Sequence, residues 1–254
     1  MLIKLSEICR AGCSHCFENA TADGDSMDIQ TLLQSIEFAR SVNDHSLLIS
    51  GGECSEHPDF ANILRMLNDV IANDFQIFIL THGGWLNDTP QALAEHPNLL
   101  FQVTADPLYY PKLLKTQTIQ IIESAPNAML TTNLNDAGLL LFPLGRAISD
   151  LGVTSETTRY TAPASFNLRS MICHSDLTLR EAVTMLRQRG KACTPSINTD
   201  GSLSMGETRN CGRAGTVWST HAIIERAIKE TQCNNCGLTA KLSPEYQRVI
   251  NFQN

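Results

Sequence analysis

LIKLSEICRAGCSHC, residues Leu2–Cys16, puts a short apolar run directly ahead of Cys9, Cys13 and Cys16 at spacing C-x3-C-x2-C. The run Leu2–Leu5 reads as a buried strand that feeds a cysteine loop. Three thiolates this close can hold three irons of a [4Fe-4S] cube and leave the fourth iron without a protein ligand. An open iron is a place for chemistry, whereas a cube closed by four Cys chiefly carries electrons. Two other readings of the spacing stand beside this one. Zinc prefers four ligands, and only His15 or a distant Cys offers a fourth. Disulfides are disfavoured, because no apolar signal segment precedes the strand and the nine cysteines are odd in number.

Outward from this loop, short apolar runs alternate with amphipathic segments up to about residue 150. Strands are expected at Leu47–Ser50, Gln76–Thr81, Leu99–Ala105, Ala128–Thr132 and Leu139–Leu144. Between them, Ile29, Leu32, Leu33 and Ile36 recur at helical spacing, as do Phe60, Ile63, Leu64, Leu67 and Ile71, and a helix is expected over Leu114–Ser124. Such alternation predicts right-handed βαβ units and a parallel sheet. Polar and glycine residues gather just past the strands, at Cys9–Cys16, Gly51–Glu53, Thr81–Gly83, Thr104–Asp106 and Asn133. In parallel α/β folds the site lies at the carboxyl ends of the strands, so these clusters predict one shared rim.

Composition fits an enzyme-sized globular chain. The 254 residues are 43% hydrophobic, with a net charge of −7, which argues against broad affinity for nucleic acid. No apolar run approaches the ~20 residues of a membrane span. Many cysteines without an export signal predict a reducing, cytoplasmic setting in which thiolates bind metal.

With Gly51-Gly52-Glu53 following the second strand, the chain resembles the radical S-adenosylmethionine (radical SAM) superfamily. The resemblance implies an open six-stranded partial barrel, a partial (β/α)6 TIM-like fold, over residues 1–155. It implies that Cys9, Cys13 and Cys16 hold a [4Fe-4S] cluster whose open iron chelates SAM, and that the Gly-Gly-Glu turn binds the methionyl amino group. His15 stands where the family usually carries an aromatic near the adenine. Asp106, Thr81 and Asn133 are candidates for the rim near the ribose, each with ordinary turn chemistry as the alternative. Arg146 is a candidate for the SAM carboxylate or the substrate, or a surface ion pair. Cys54 takes the place of a common Pro and reads as a small buried residue.

Residues 150–170 lose periodicity, and beyond them the chain changes character. A helix is expected from the Thr178–Glu181 capping box, and a last one over Ile223–Ile228. Cys193, Gly206 and Cys211 give C-x12-G-x4-C, followed by Cys233 and Cys236 as C-x2-C, with a hairpin turning at Thr199-Asp200-Gly201. This pattern resembles the SPASM and twitch extensions of the family. It implies a small C-terminal twitch-type auxiliary cluster domain over residues 156–254, with a second [4Fe-4S] cluster on Cys193, Cys211, Cys233 and Cys236. Structural zinc is the competing occupant, and Cys173 is unassigned. The resemblance further implies SAM cleavage to a 5'-deoxyadenosyl radical, hydrogen abstraction from a peptide or protein side chain, and a flavodoxin- or ferredoxin-type reductant. A small polar metabolite such as a sugar or aminocyclitol is the alternative substrate, and a zinc-stapled interaction domain the non-enzymatic one.

Overall fold

The structure is a computed structural model that describes residues 1–14, 16, 18–104, 113–131, 134–135, 138–139, 146, 150, 195–204, 206 and 212–230. Strands β1 (Leu2–Ser6), β2 (Ser46–Gly51), β3 (Gln76–Thr81), β4 (Leu99–Thr104) and β5 (Ala128–Thr131) lie in chain order and pair in parallel. The connections carry helices α1 (Ile29–Ser41), α2 (Phe60–Asp69), α3 (Ala92–Glu95) and α4 (Thr116–Ser124). This is the βαβ progression of a partial TIM-like barrel, and among the described residues it does not close.

Strand alternation sets the two faces of the sheet. Ile3, Leu5, Leu47, Ile49, Ile77, Ile79, Leu99, Phe101 and Val103 are at most 1% exposed and share one core with Leu32, Ile36, Ile63, Leu64 and Leu67 of the helices. Each such side chain contributes about 1.5–3 kcal/mol by leaving water. The alternate residues Leu48, Ser50, Phe78, Leu80, Leu100, Gln102 and Thr104 are only half-buried. One face is therefore sealed by helices, and along β2, β3 and β4 the other is only partly covered. The inward stripe of α1 runs through Leu32, Ile36 and Phe38, while Ile29 and Leu33 flank it in partial exposure.

One strand differs from expectation, and one expected hairpin has a pairing that was not foreseen. The sixth strand was expected at Leu139–Leu144; Leu139 instead ends β7 (Gly138–Leu139), which pairs antiparallel with β6 (Leu134–Asn135), and residues 140–144 lie outside the described residues. Secondly, the expected hairpin forms from β8 (Ser196–Ile197) and β9 (Ser202–Ser204), with β10 (Arg213–Thr216) beyond it, and β8 pairs in parallel with β1. Among the described residues the barrel sheet thus has eight strands in the order β10-β9-β8-β1-β2-β3-β4-β5. Gly201 turns the hairpin at φ +74°, and a Cβ there would meet the Trp218 ring at 2.5 Å. Helix α5 (His221–Glu230) follows, with Ile224 buried and Ile223 exposed. The Thr178 helix and the division at 155/156 lie outside the described residues. Among the described residues no helix is long and apolar enough to cross a membrane.

Helix α1 begins at an Asp28 cap whose carboxylate accepts from the Thr31 N–H at 2.8 Å and the Thr31 hydroxyl at 2.7 Å. These bonds hold the carboxyl below its ordinary range. Its contribution is present above the unfolded carboxyl's pKa and is lost as pH falls through the folded one. Asp28→Ala is expected to cost about 1 kcal/mol, seen as a lower urea midpoint near neutral pH. The difference from the unsubstituted protein should shrink below about pH 4.

Candidate active site

The site begins where β1 and β2 end. The register between them slips after Lys4, so that Ser6 faces Gly51. The Gly52 N–H donates to the Ser6 carbonyl at 2.6 Å, and the Glu53 N–H donates to the Ile8 carbonyl at 2.8 Å. A Cβ on Gly51, whose φ is +138°, would lie 2.0 Å from the Ser6 oxygen, and one on Gly52 would lie 2.7 Å from the Ile8 oxygen. The two glycines are therefore required by the approach of β1 to this turn, a contact between two parts of the chain that sequence reasoning assigned to a ligand.

The cysteine loop leaves β1 and returns beside it. The Cys9 N–H donates to Thr21 O at 2.8 Å, Glu7 N–H to Asp25 O at 2.7 Å, and Met27 N–H to Leu5 O at 2.9 Å. Lys4, 1% exposed in the middle of β1, extends its ammonium to Glu18 at 2.7 Å. Burial raises the Glu18 carboxyl, and the Lys4 charge and hydrogen bond oppose that rise. Arg10 grips Glu56 through its main-chain N–H at 2.9 Å and its guanidinium at 2.6 Å. Arg146 reaches the loop from more than a hundred residues away. Its Nε donates to Cys13 O at 2.9 Å, one Nη to Ala20 O at 2.7 Å, and its main-chain N–H to Cys16 O at 2.9 Å. Its side chain thus binds carbonyls of the cysteine loop.

Glu53 is 2% exposed and turned into the protein. Its Oε1 accepts from the Thr81 hydroxyl at 2.5 Å and the Ser55 N–H at 3.1 Å, and its Oε2 from the His82 N–H at 2.9 Å. Thr81 also accepts from Trp85 Nε1 at 3.1 Å and the Gly83 N–H at 3.0 Å. Glu53 and Thr81 thus lock the ends of β2 and β3 together with their side chains. The main chain of the Gly-Gly-Glu turn is the part that can face a ligand.

Cys9, Cys13, Cys16 and Cys54 are all outside disulfides. Cys9 and Cys13 are buried, and Cys16 is half-buried. The Cys9 thiol is pushed up to about 11, first by burial, against the Ala11 N–H, with Glu53, Glu56 and Cys13 adding to the rise. Cys54 is fully buried, donates to Leu80 O at 3.4 Å, and is held well above an ordinary thiol by burial and then by Glu53. It is a core residue. Ligand atoms of Cys9, Glu56 and His82 lie within 4.8 Å of one another. His82 Nδ1 accepts the Gly84 N–H at 3.0 Å, which leaves the proton on Nε2, facing Glu53 Oε2 at 3.5 Å. Nε2 in that tautomer has no lone pair for a metal, and Glu56 is taken by Arg10. The donor set that fits an inorganic group is the three thiols, and sulfur ligands at this spacing suit an iron–sulfur cube.

Of the candidates read from sequence, the structure brings together Cys9, Cys13, Cys16, Gly51, Gly52, Glu53, Thr81 and Arg146. His15, Asp106, Asn133, Cys173, Cys193, Cys211, Cys233 and Cys236 lie outside the described residues. Lys4, Glu18, Glu56 and His82 were missed. The lysine inside an apolar strand was the available signal, because a buried lysine needs a partner.

A parallel sheet whose first strand is followed by three thiols at C-x3-C-x2-C fits a class of iron–sulfur enzymes. A family model described as the radical SAM superfamily matches residues 3–132, and the chain belongs to that superfamily. The family implies a [4Fe-4S] cluster and SAM. No curated protein matches significantly in sequence. Among solved structures, BtrN in complex with AdoMet and 2-DOIA is similar with a TM-score of 0.53 and 12% identity, over 95% of this chain and 88% of that one. Native anSMEcpe with bound AdoMet and Cp18Cys peptide is similar with a TM-score of 0.52 and 13% identity, over 96% and 84%.

Gly51→Ala is expected to lower stability by at least about 1–3 kcal/mol, read as a lower urea midpoint, because it forces a strained backbone against Ser6. An unchanged midpoint would show that the turn does not depend on this approach.

Proposed function

We propose that the protein cleaves SAM reductively and oxidises a peptide or protein side chain by hydrogen abstraction. The observation that carries this reading is the fusion of the thiol loop and the Gly-Gly-Glu turn, through the Gly52–Ser6 and Glu53–Ile8 hydrogen bonds, at the carboxyl end of the sheet. Cys9, Cys13 and Cys16 would hold the cluster. When bound, cluster and SAM supply the one-electron chemistry that yields 5'-deoxyadenosine and methionine. The main chain at Gly51–Glu53 would receive the SAM amino group, with Glu53 and Thr81 holding the turn rigid from behind. His15, Asp106 and Asn133 are the candidates for the adenosine end. The half-buried face of the sheet would take the substrate and keep water from it.

Cys193, Cys211, Cys233 and Cys236 would hold a second [4Fe-4S] cluster that accepts an electron from the substrate, in a twitch-type region over residues 156–254. An external donor of the flavodoxin or ferredoxin class would reduce the first cluster. The enzyme would work in the reducing cytoplasm, where thiolates stay free to bind metal. A second reading takes a small polar metabolite as substrate. It is supported by Ser50, Gln102 and Thr104 on the open face of the sheet, and by the 2-DOIA bound to BtrN, whereas the peptide bound to anSMEcpe supports the first.

Anaerobic reconstitution followed by dithionite and SAM tests the core of the proposal. About eight irons per chain and formation of 5'-deoxyadenosine are expected. Replacing Cys9, Cys13 and Cys16 together by Ala should abolish that product and leave about half the iron. Survival of SAM cleavage in this variant would overturn the assignment. Replacing Cys211 by Ala should spare SAM cleavage while stopping conversion of substrate. About four irons with product formed would instead leave the carboxy-terminal cysteines to zinc or to no metal.

A further inference from the structure

We infer that Arg146 is a positioning residue that clasps the thiol loop and raises the reduction potential of the cluster held there. The inference rests on the reading of Cys9, Cys13 and Cys16 as cluster ligands. Three donors from this one residue feed three carbonyls of the loop, at Cys13, Cys16 and Ala20. Two of those carbonyls belong to the proposed ligands themselves. Among the described residues the loop is otherwise tied to its own strand, to β2, to the return segment and, at Glu7, to Thr199, whereas Arg146 ties the thiol-bearing part itself from 133 residues beyond Cys13. The main-chain bond to Cys16 does not depend on the side chain. The guanidinium fork therefore adds two further constraints to a loop already placed.

The second effect is electrostatic. A guanidinium is charged at every accessible pH, and carbonyl oxygens bind it without cancelling its charge. One-electron reduction by the flavodoxin- or ferredoxin-type donor adds one negative charge to the cluster and none to the protein. A cation fixed against the carbonyl of one proposed ligand, Cys13, and that of Ala20 favours the more negative state, and iron–sulfur potentials are set by such charges and hydrogen bonds. The side chain that sequence reasoning assigned to SAM or substrate would thus act through the cluster.

The test uses the full chain, reconstituted anaerobically, with Arg146→Met and Arg146→Lys. Two quantities are read: the rate of iron release to a chelator, and the midpoint potential of the EPR signal that changes on adding SAM. Arg146→Met should release iron about tenfold or more faster and shift the midpoint to a more negative value. Arg146→Lys keeps the charge without the fork, so it should release iron faster while holding the midpoint close to that of the unsubstituted protein. Faster release with an unmoved midpoint in Arg146→Met would reveal a merely structural tie and overturn the inference. Unchanged release in both variants would also overturn it. Should Arg146→Met fail to fold, Arg146→Gln takes its place with the same expectations. A SAM-responsive signal that persists when Cys9, Cys13 and Cys16 are all Ala would sink the ligand assignment instead.

Discussion

The hydrogen bond from the Gly52 N–H to the Ser6 carbonyl, 2.6 Å long, is the contact on which the site depends. It exists only because neither residue of the Gly51-Gly52 turn carries a Cβ, which would overlap the end of β1. The consequence is a junction in which the strand that delivers the thiols and the strand that delivers the turn end at the same place. In a parallel sheet the two strand ends are adjacent by topology, but adjacency alone leaves two loops free to diverge. The backbone bonds at Ser6 and Ile8 remove that freedom.

Around this junction the thiol loop is held by charged side chains. Lys4 reaches Glu18 from below, Arg10 holds Glu56 beside the turn, and Arg146 approaches from the distal chain. The Lys4–Glu18 pair is the most buried of the three. It costs desolvation on both sides, so removing either partner would leave a stranded charge. Glu53 and Thr81 extend the same logic to β3. Rigidity of the loop is thus distributed over the ends of three strands and one remote arginine.

Much of the fold was legible because apolar runs, helical stripes and polar strand ends follow simple periods. Leu47, Ile49, Ile77 and Ile79 mark their strands unambiguously, and Ile63, Leu64 and Leu67 mark α2. The thiol spacing and the Gly-Gly-Glu turn pointed to the site for the same reason: their chemistry is local in sequence. What was not legible is non-local. The pairing of β8 with β1, the grip of Arg146 on Cys13, and the inward turn of Glu53 each join segments far apart, and no period records them. The Ile29 and Leu33 positions show the opposite limit, since helical spacing identifies a stripe without saying which flank the sheet will cover.

The place of β8 has a consequence for how the molecule is made. β1 is synthesised first, yet it lies inside the sheet and is flanked on one side by a strand that begins at Ser196. The hydrogen bond from Thr199 to Glu7 spans 192 residues. Contacts of such sequence separation form late and slowly. During synthesis the edge of β1 therefore stays open until Ser196–Thr199 have left the ribosome, and the thiol loop beside it has its final surroundings only after that point. A cluster on these thiols would then be loaded after the hairpin has closed the edge.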